Sequence, residues 1–287
     1  DCIFPAEPLL TLMKQIAGKL HRAWKWACDA FSLASGAHAV RAFPNSHLVG
    51  AVPASWAAPK EVSAMEELRQ AVRDEDWPRN FEEGLTKIQM RAEWSASEDR
   101  CALLKWLVKS TQAKRVLEIG SFCGVGTLAL AESMPEDGEL FSLELDPFVV
   151  NFGRRFGGPA LTRAKTILGQ AADSLQQLAH EGKEFDLVIV DADKEGMCDY
   201  FELLWKMSLV SPRAVVAVDM TPFKGQPPLR FLKFGFPYRC ETSSGEKQIN
   251  ELRTHVQKSS DFTSHEFGGL LIVQKMTSTD CECVNCH

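Results

Sequence analysis

The 287-residue sequence has no apolar run that approaches the roughly 18 residues that a membrane-spanning helix requires. Its start lacks the short apolar core and small-residue cleavage site of a secretory signal peptide. A basic excess is also missing, because 32 Lys and Arg stand against 38 Asp and Glu, for a net charge of −6. We therefore expect no integral membrane span and no nucleic-acid partner, since phosphate binding needs clustered basic side chains.

The nine cysteines do not form the pattern of a disulfide framework. Their number is odd, they are scattered, and Cys101, Cys123 and Cys198 lie inside apolar segments. Free thiols of this kind are typical of a reducing compartment, so we predict a cytoplasmic protein. Because the sequence opens with Asp1 rather than Met, targeting to an organelle stays open as an alternative.

The pattern along the chain predicts three parts. Residues 1–60 combine a basic amphipathic helix around residues 9–24 with a linker rich in Ala, Pro, Ser and Gly. We expect this helix to pack on the main domain or on a partner, with a transit peptide or a membrane-surface helix as the alternatives. Residues 61–276 form the predicted main domain, and the Cys-rich residues 277–287 a flexible tail.

The pattern of apolar residues in the main domain predicts an α/β fold. Buried strands are indicated by five short apolar runs, at residues 116–119, 140–143, 166–168, 187–190 and 215–218. Helical patterns precede, separate or follow these runs, at residues 65–72, 85–90, 103–108, 127–134, 148–156, 172–180, 200–209 and 246–256. This order predicts a doubly wound, mostly parallel sheet, and Gly268-Gly269 between two last apolar stretches predicts an antiparallel hairpin at its C-terminal edge.

The turn after the first predicted strand has the glycine spacing of a ligand-binding turn. Gly120 and Gly124 let the backbone pass close to a ligand, and the following helix directs free N–H groups toward a carboxylate. The dinucleotide pattern G-x-G-x-x-G is absent, and no Lys follows the last glycine as in a phosphate loop. The turn therefore predicts a ligand that carries no phosphate.

Acidic and small residues after the next two strands complete the predicted cofactor site. Glu144 ends the second strand, where a carboxylate accepts hydrogen bonds from both hydroxyls of a ribose. Gln170 and Ala171 follow the third strand and are expected to flank an adenine. A nucleoside with a carboxylate and no phosphate is S-adenosylmethionine. The alternative is that the acids are solvated and the glycines only close a turn, but their joint spacing favours the cofactor.

The fourth and fifth strands end in residues suited to chemistry on a hydroxyl. Asp191 and Asp219 follow the two strands and would hold a divalent cation such as Mg²⁺, which prefers oxygen ligands and acidifies a bound hydroxyl. Lys194 would then remove the hydroxyl proton.

These segments resemble the class I cation-dependent O-methyltransferases, which include the caffeoyl-CoA and catechol O-methyltransferases. The resemblance spans about residues 76–275 and is carried by residues 115–124, Glu144, residues 185–194 and Val218-Asp219. It implies a Rossmann-like methyltransferase sheet, Lys194 and Asp191 as catalytic residues, Asp191 and Asp219 as metal ligands, and a homodimer. We assign cofactor binding to Glu118, Gly120, Phe122, Gly124, Glu144, Gln170, Ala171 and Asp191.

One position departs from the family pattern. An Asp-Asn pair would complete the metal site after the fifth strand, whereas this sequence has Asp219-Met220. A thioether is a poor ligand for Mg²⁺, so one protein ligand is missing. Thr221 or a water molecule could fill the place, or the enzyme could work through Lys194 alone.

The predicted function is transfer of a methyl group from S-adenosylmethionine to a hydroxyl of a small molecule with adjacent hydroxyls. Catechol, caffeoyl and cyclitol or enediol compounds are the candidate acceptor classes, and aromatic residues in 77–94 and 222–236 are expected to contact them. The alternative is a non-catalytic binding or regulatory module of the same fold, motivated by Met220. A dinucleotide-dependent oxidoreductase is disfavoured by the glycine spacing.

Overall fold

The structure is a computed structural model, and it describes residues 63–222 and 245–276. The predicted N-terminal helix and linker, most of the aromatic loop after Pro222, and the Cys-rich tail lie outside these residues. The predicted domain boundaries stay predictions. Within the described part of the chain, no helix has the length and apolar character needed to cross a bilayer.

Seven strands form one sheet in the order β3-β2-β1-β4-β5-β7-β6. The strands are β1 Arg115–Ile119, β2 Glu139–Glu144, β3 Ala164–Leu168, β4 Phe185–Val190, β5 Val210–Asp219, β6 Phe262–Phe267 and β7 Leu270–Lys275. The first five pair in parallel, while β7 pairs antiparallel with both β5 and β6. The predicted mostly parallel sheet with an antiparallel edge hairpin is confirmed.

The helices connect the strands and precede the first of them. They are α1 Ala64–Asp74, α2 Trp77–Glu82, α3 Glu98–Thr111, α4 Val125–Ser133, α5 Pro147–Phe156, α6 Gly158–Leu161, α7 Ala171–His180, α8 Met197–Lys206 and α9 Glu246–Lys258. Several begin at a side-chain cap of the kind that helix starts favour: Ser63 caps α1, Ser97 caps α3 and Asp146 caps α5.

Apolar side chains cover both faces of the sheet, as a parallel sheet requires. One cluster joins the sheet to α7, α8 and α9 and includes Leu175, Phe201 and Ile249. A second cluster joins α1, α2, α4 and α5 and includes Leu68 and Phe152. The uninterrupted apolar runs of the sequence are explained by this burial on both sides.

The predicted helical pattern at residues 85–90 is wrong. This segment is non-helical, and a left-handed Gly84 (φ 72°) follows α2. The Lys87 backbone N–H donates to Asp146 Oδ2 at 2.6 Å, and Lys87 Nζ donates to the Leu145 carbonyl at 2.9 Å. Contacts with the end of β2 therefore override the local spacing of Leu85, Ile88 and Met90, and Leu85 stays 49% exposed.

Candidate active site

The strand register brings the predicted site residues to one edge of the sheet. Ile119 at the end of β1 pairs with Leu143 of β2 and with Val190 of β4, and Val190 pairs with Val218 of β5. The residues that follow, namely Gly120, Glu144, Asp191 and Asp219, therefore lie side by side. Ligands of open α/β sheets bind beyond this carboxyl edge.

Gly120 allows the first turn to pass directly over the end of β4. Its backbone is left-handed (φ 89°), and an added Cβ would lie 2.3 Å from the Asp191 carbonyl oxygen. The Asp191 N–H donates to the Ile119 carbonyl at 2.9 Å, and this hydrogen bond also holds the end of β1 against the end of β4. Gly124 is also left-handed (φ 84°) and starts α4. The two glycines direct the N-terminus of α4 toward the crevice, where its free N–H groups favour an anionic group.

Glu144 ties the end of β2 to the glycine turn. Its Oε2 accepts N–H groups of Ser121 and Phe122 at 3.2 and 2.7 Å, and its Oε1 accepts those of Leu145 and Asp146 at 2.8 and 3.1 Å. Burial raises the pKa of this carboxyl, and the four backbone donors oppose the rise. These four hydrogen bonds fix the carboxylate at the end of β2, and its contact with a ribose stays a prediction.

Glu118 lies beneath the turn. It is 3% exposed and accepts hydrogen bonds from the hydroxyls of Thr127, in the first turn of α4, and Ser142, on β2. Its carboxylate also fills the space that a side chain at Gly126 would need, because an added Cβ would lie 2.7 Å from Oε1. Burial raises its pKa to about 8. The structure thus places Glu118 as a support of the turn, where sequence reasoning predicted a cofactor contact.

Phe122 combines a strained backbone with an aromatic contact. It is left-handed (φ 49°), which is unfavourable for a residue with a Cβ. Its ring packs 5.2 Å from Trp77 and 6.1 Å from Trp94, measured between ring centroids. The strain is compensated because its N–H binds Glu144 while its ring joins the turn to the helices before β1.

The predicted adenine-flanking residues begin α7. Gln170 is exposed at the N-cap position and Ala171 is half-buried in the first turn. The preceding Gly169 donates its N–H to the Glu144 carbonyl at 2.9 Å. Gln170 and Ala171 therefore lie next to the proposed ribose site, although their contact with a nucleoside stays a prediction.

Asp219 is the centre of a buried network of charges at the end of β5. Its Oδ1 accepts Arg100 Nη2 at 2.6 Å and the Thr221 hydroxyl at 2.9 Å. Its Oδ2 accepts Lys194 Nζ at 2.7 Å and the Thr221 N–H at 3.3 Å. Lys194 Nζ also donates to the Asp219 carbonyl at 2.7 Å, and its side chain is 4% exposed.

Asp191 lies in the same network. Burial and the neighbouring carboxylate of Asp219 raise its pKa to about 6, while the charges of Lys194 and Arg100 act in the opposite direction. The three residues that the sequence singled out for chemistry, Asp191, Lys194 and Asp219, are thus brought together.

A divalent cation does not fit the Asp191–Asp219 pair as the structure arranges it, and the predicted metal site stays a prediction. Both carboxylate oxygens of Asp219 are engaged, and the two nearest charged partners are cations. Met220 belongs to the apolar core and is 7% exposed, so it offers no ligand. Within residues 63–222 and 245–276, no group of three His, Cys, Asp or Glu side chains could hold a metal ion.

Sequence reasoning missed two residues of this site. Arg100 lies on α3, 119 positions before Asp219. The neighbouring residues in the sequence do not distinguish it from an arginine on the protein surface. Asp146 caps α5 through the Phe148 N–H and holds Lys87, so it positions the segment before α3. The capping pattern Asp-Pro at the start of α5 was the available signal for Asp146.

A surface groove of about 640 Å³ lies at the opposite edge of the sheet. Its walls carry paired charges, including Lys114 with Asp137 at 2.6 Å and Arg115 with Asp186 at 2.8 Å. Because this is the amino edge of the parallel strands, we do not assign the active site to it.

The sequence matches a family model described as O-methyltransferase over residues 69–227, more than half of the chain. A catechol O-methyltransferase of Niastella koreensis is 33% identical over 130 residues, which cover 44% of this chain and 57% of that protein. A flavonoid 3′,5′-methyltransferase of Vitis vinifera is 32% identical over 202 residues, which cover 66% of this chain and 81% of that protein. The chain therefore spans little more than half of the bacterial relative.

Solved structures share the fold. The O-methyltransferase TomG of Streptomyces achromogenes, solved in complex with S-adenosylmethionine, superposes with a TM-score of 0.57 at 25% identity over 76% of this chain and 92% of that one. An O-methyltransferase of Bacillus cereus gives a TM-score of 0.56 at 23% identity over 77% of this chain and 94% of that one.

Proposed function

Because this chain belongs to the O-methyltransferase family and is an S-adenosylmethionine-dependent enzyme, we propose that it methylates one hydroxyl of a small molecule that carries adjacent hydroxyls. The observation that supports this most is the meeting of two groups of residues at one sheet edge. Glu144 and the glycine turn lie at the ends of β1 and β2, and Asp191, Lys194 and Asp219 lie at the ends of β4 and β5.

The first group is the proposed cofactor site. Glu144 would accept the ribose hydroxyls, the N-terminus of α4 would face the cofactor's carboxylate, and Gln170 and Ala171 would flank the adenine. Gly120 allows the turn to approach the end of β4 closely, because an added Cβ would lie 2.3 Å from the Asp191 carbonyl oxygen. When bound, S-adenosylmethionine would supply an electrophilic methyl group: its carbon–sulfur bond would break as the acceptor oxygen bonds to the methyl carbon, with a neutral thioether as the leaving group.

The second group is the proposed acceptor site. Lys194 is fixed by two hydrogen bonds to Asp219, so its position relative to the end of β4 is set before an acceptor arrives. We propose that Lys194 receives the proton of the acceptor hydroxyl, with Asp191 orienting that hydroxyl. Orientation of the two reactants supplies much of the remaining barrier reduction.

The names of the relatives support an aromatic acceptor. Proteins similar to this chain are named for catechol, caffeoyl-CoA and flavonoid substrates, all of which present an aromatic ring. We propose a catechol-like or enediol-like acceptor, in which one oxygen is methylated while its neighbour is held by the charged network. A homodimer and a cytoplasmic location remain predictions.

Calorimetry with S-adenosylmethionine, followed by methyl transfer to a panel of catechols, caffeoyl esters and cyclic enediols, tests this function. We expect one cofactor site per chain and turnover with at least one panel member. Well-folded protein that binds no cofactor contradicts the proposal. Binding without any turnover would instead favour a non-catalytic module of the same fold.

A further inference from the structure

Arg100 reaches the centre of the acceptor site from a helix outside the alternating strand–helix pattern. It lies in the first turn of α3, and its Nη2 donates to Asp219 Oδ1 at 2.6 Å. The pair is buried, because the side chains of Arg100 and Asp219 are 13% and 6% exposed. Burying a guanidinium is costly unless it is paired, so the ion pair with Asp219 is what allows Arg100 to lie there.

The β6–β7 turn makes room for this guanidinium. An added Cβ at Gly269 would lie 3.3 Å from Arg100 Nη2 and 3.3 Å from Thr221 Oγ1. The Gly269 carbonyl accepts the Met220 N–H at 2.9 Å, so the turn is held against the end of β5. Two separate parts of the chain, α3 and the edge hairpin, are therefore shaped around the Arg100–Asp219 pair.

In the network before an acceptor binds, two acidic side chains, Asp191 and Asp219, face two basic ones, Arg100 and Lys194, so charge balance there requires no metal ion. A divalent cation at Asp219 would have to displace Arg100 or Lys194 and would then lie beside the other basic side chain. The third ligand position of the family pattern is occupied by Met220, whose side chain packs in the core.

One terminal nitrogen of Arg100 is left for a ligand. Nη1 is buried and has no hydrogen-bond partner among the described residues. A buried N–H donor without a hydrogen-bond partner costs desolvation free energy, and an oxygen of a bound ligand would remove that cost by accepting its hydrogen bond. Guanidinium groups bind oxyanions well because their donors are fixed in one plane and stay charged at every relevant pH.

We propose that Arg100 takes the place of the divalent cation in this active site, binding one of the two adjacent acceptor oxygens through Nη1, so that methyl transfer proceeds without metal. The inference rests on the proposed function. Arg100 stabilises the negative charge that develops on the acceptor oxygen and exchanges no proton itself. The oxygen–carbon bond forms as the carbon–sulfur bond breaks, and the proton of the acceptor goes to Lys194.

Metal titration of the wild-type protein tests this inference without an assay of activity. We expect calorimetry with Mn²⁺, Mg²⁺ and Ca²⁺ to show no stoichiometric binding, and the melting temperature to be unchanged by 1 mM of each ion, a concentration of the order used for weak sites. Stoichiometric binding that is lost in Asp219→Asn would overturn the proposal.

Kinetics of arginine variants test the role of Nη1. We expect wild-type turnover to be unaffected by EDTA, and Arg100→Gln to lower kcat by about 10²–10³, the loss typical of one oxyanion donor. Calorimetric affinity for S-adenosylmethionine should stay unchanged in Arg100→Gln, and Arg100→Lys should recover part of kcat, which a purely structural role would not produce.

Arg115→Gln is the matched control, because it removes an Arg–Asp pair of 2.8 Å at the opposite edge of the same sheet. We expect it to leave kcat unchanged. Turnover that EDTA abolishes and Mg²⁺ restores would contradict the inference while supporting the proposed function. If cofactor binding and turnover are both missing, the proposed function fails, and the metal titration still decides the question of cation binding.

Discussion

The two halves of the site stabilise their carboxylates in different ways. In the cofactor half, at the ends of β1 and β2, Glu144 accepts four backbone N–H groups and Glu118 accepts two hydroxyls. In the acceptor half, at the ends of β4 and β5, Asp219 is bound by two cationic side chains. The donors to Glu144 and Glu118 lie at most 24 positions away in sequence, whereas Asp219 also binds Arg100, 119 positions away. The acceptor half therefore depends on one long-range contact that the cofactor half lacks.

The largest expected effect comes from Gly120→Ala, because Gly120 joins the two halves. A Cβ there would meet the Asp191 backbone at 2.3 Å in a left-handed residue. We expect a loss of about 2–5 kcal/mol in the free energy of unfolding from overpacking and strain together, together with loss of cofactor binding. Denaturant unfolding and calorimetry would measure the two effects.

Gly182→Ala provides the control for Gly120. Gly182 is also left-handed (φ 68°), but nothing lies within 4 Å of an added Cβ. Only the conformational cost of about 1–2 kcal/mol should appear, with cofactor affinity unchanged. Equal losses in the two variants would show that the contact with Asp191 is unimportant.

Met220→Asn tests whether the acceptor half can be returned to the family pattern by one substitution. The Met220 side chain packs in the core, so we expect the buried amide to cost about 2–4 kcal/mol of unfolding free energy. Metal response should not appear, because Arg100 and Lys194 still occupy Asp219. Met220→Leu, which keeps the volume, should cost less than about 1.5 kcal/mol. A stable Met220→Asn protein that gains Mg²⁺-dependent activity would refute this account.

Glu144→Gln tests the cofactor half alone. Loss of the charge weakens hydrogen bonds to the ribose hydroxyls, each worth about 1.5–3 kcal/mol when one partner is charged. We expect S-adenosylmethionine affinity to fall about 10- to 100-fold with kcat at saturating cofactor little changed. Glu139→Gln, at the other end of β2 in a surface pair with Lys165, should leave the affinity unchanged.

Glu118 affects how the stability of the protein depends on pH. Its pKa is raised from 4.5 to about 8 by burial, so the folded state holds a proton that the unfolded state has lost between these values. Stability should therefore fall as pH rises across that window, by at most about 1.4 kcal/mol per pH unit from this group. Chemical unfolding at pH 5.5, 6.5 and 7.5 should show a shallower slope for Glu118→Gln than for the wild type. Identical slopes would mean that Glu118 is ionised in the folded protein.

Much of the fold was predictable because its signals are local. The apolar runs of β1 to β5, the Gly268-Gly269 hairpin and the helix after Asp146-Pro147 each depend on residues close in sequence. The failure at residues 85–90 has the opposite cause, because that segment is held by Asp146, 59 positions away from Lys87. Glu118 was predicted to contact the cofactor, but its place below the turn depends on Thr127 and Ser142, which the sequence pattern did not single out.

The sequence by itself determined the cofactor half, since a glycine turn and an acidic strand end occupy the same sheet edge in any parallel sheet with this strand order. It also showed that a metal ligand was missing, through Met220. Only the tertiary structure decided what replaces that ligand. Arg100 approaches Asp219 because α3 packs across the sheet edge, and a contact between residues 119 positions apart leaves no periodic or spacing signal in the sequence.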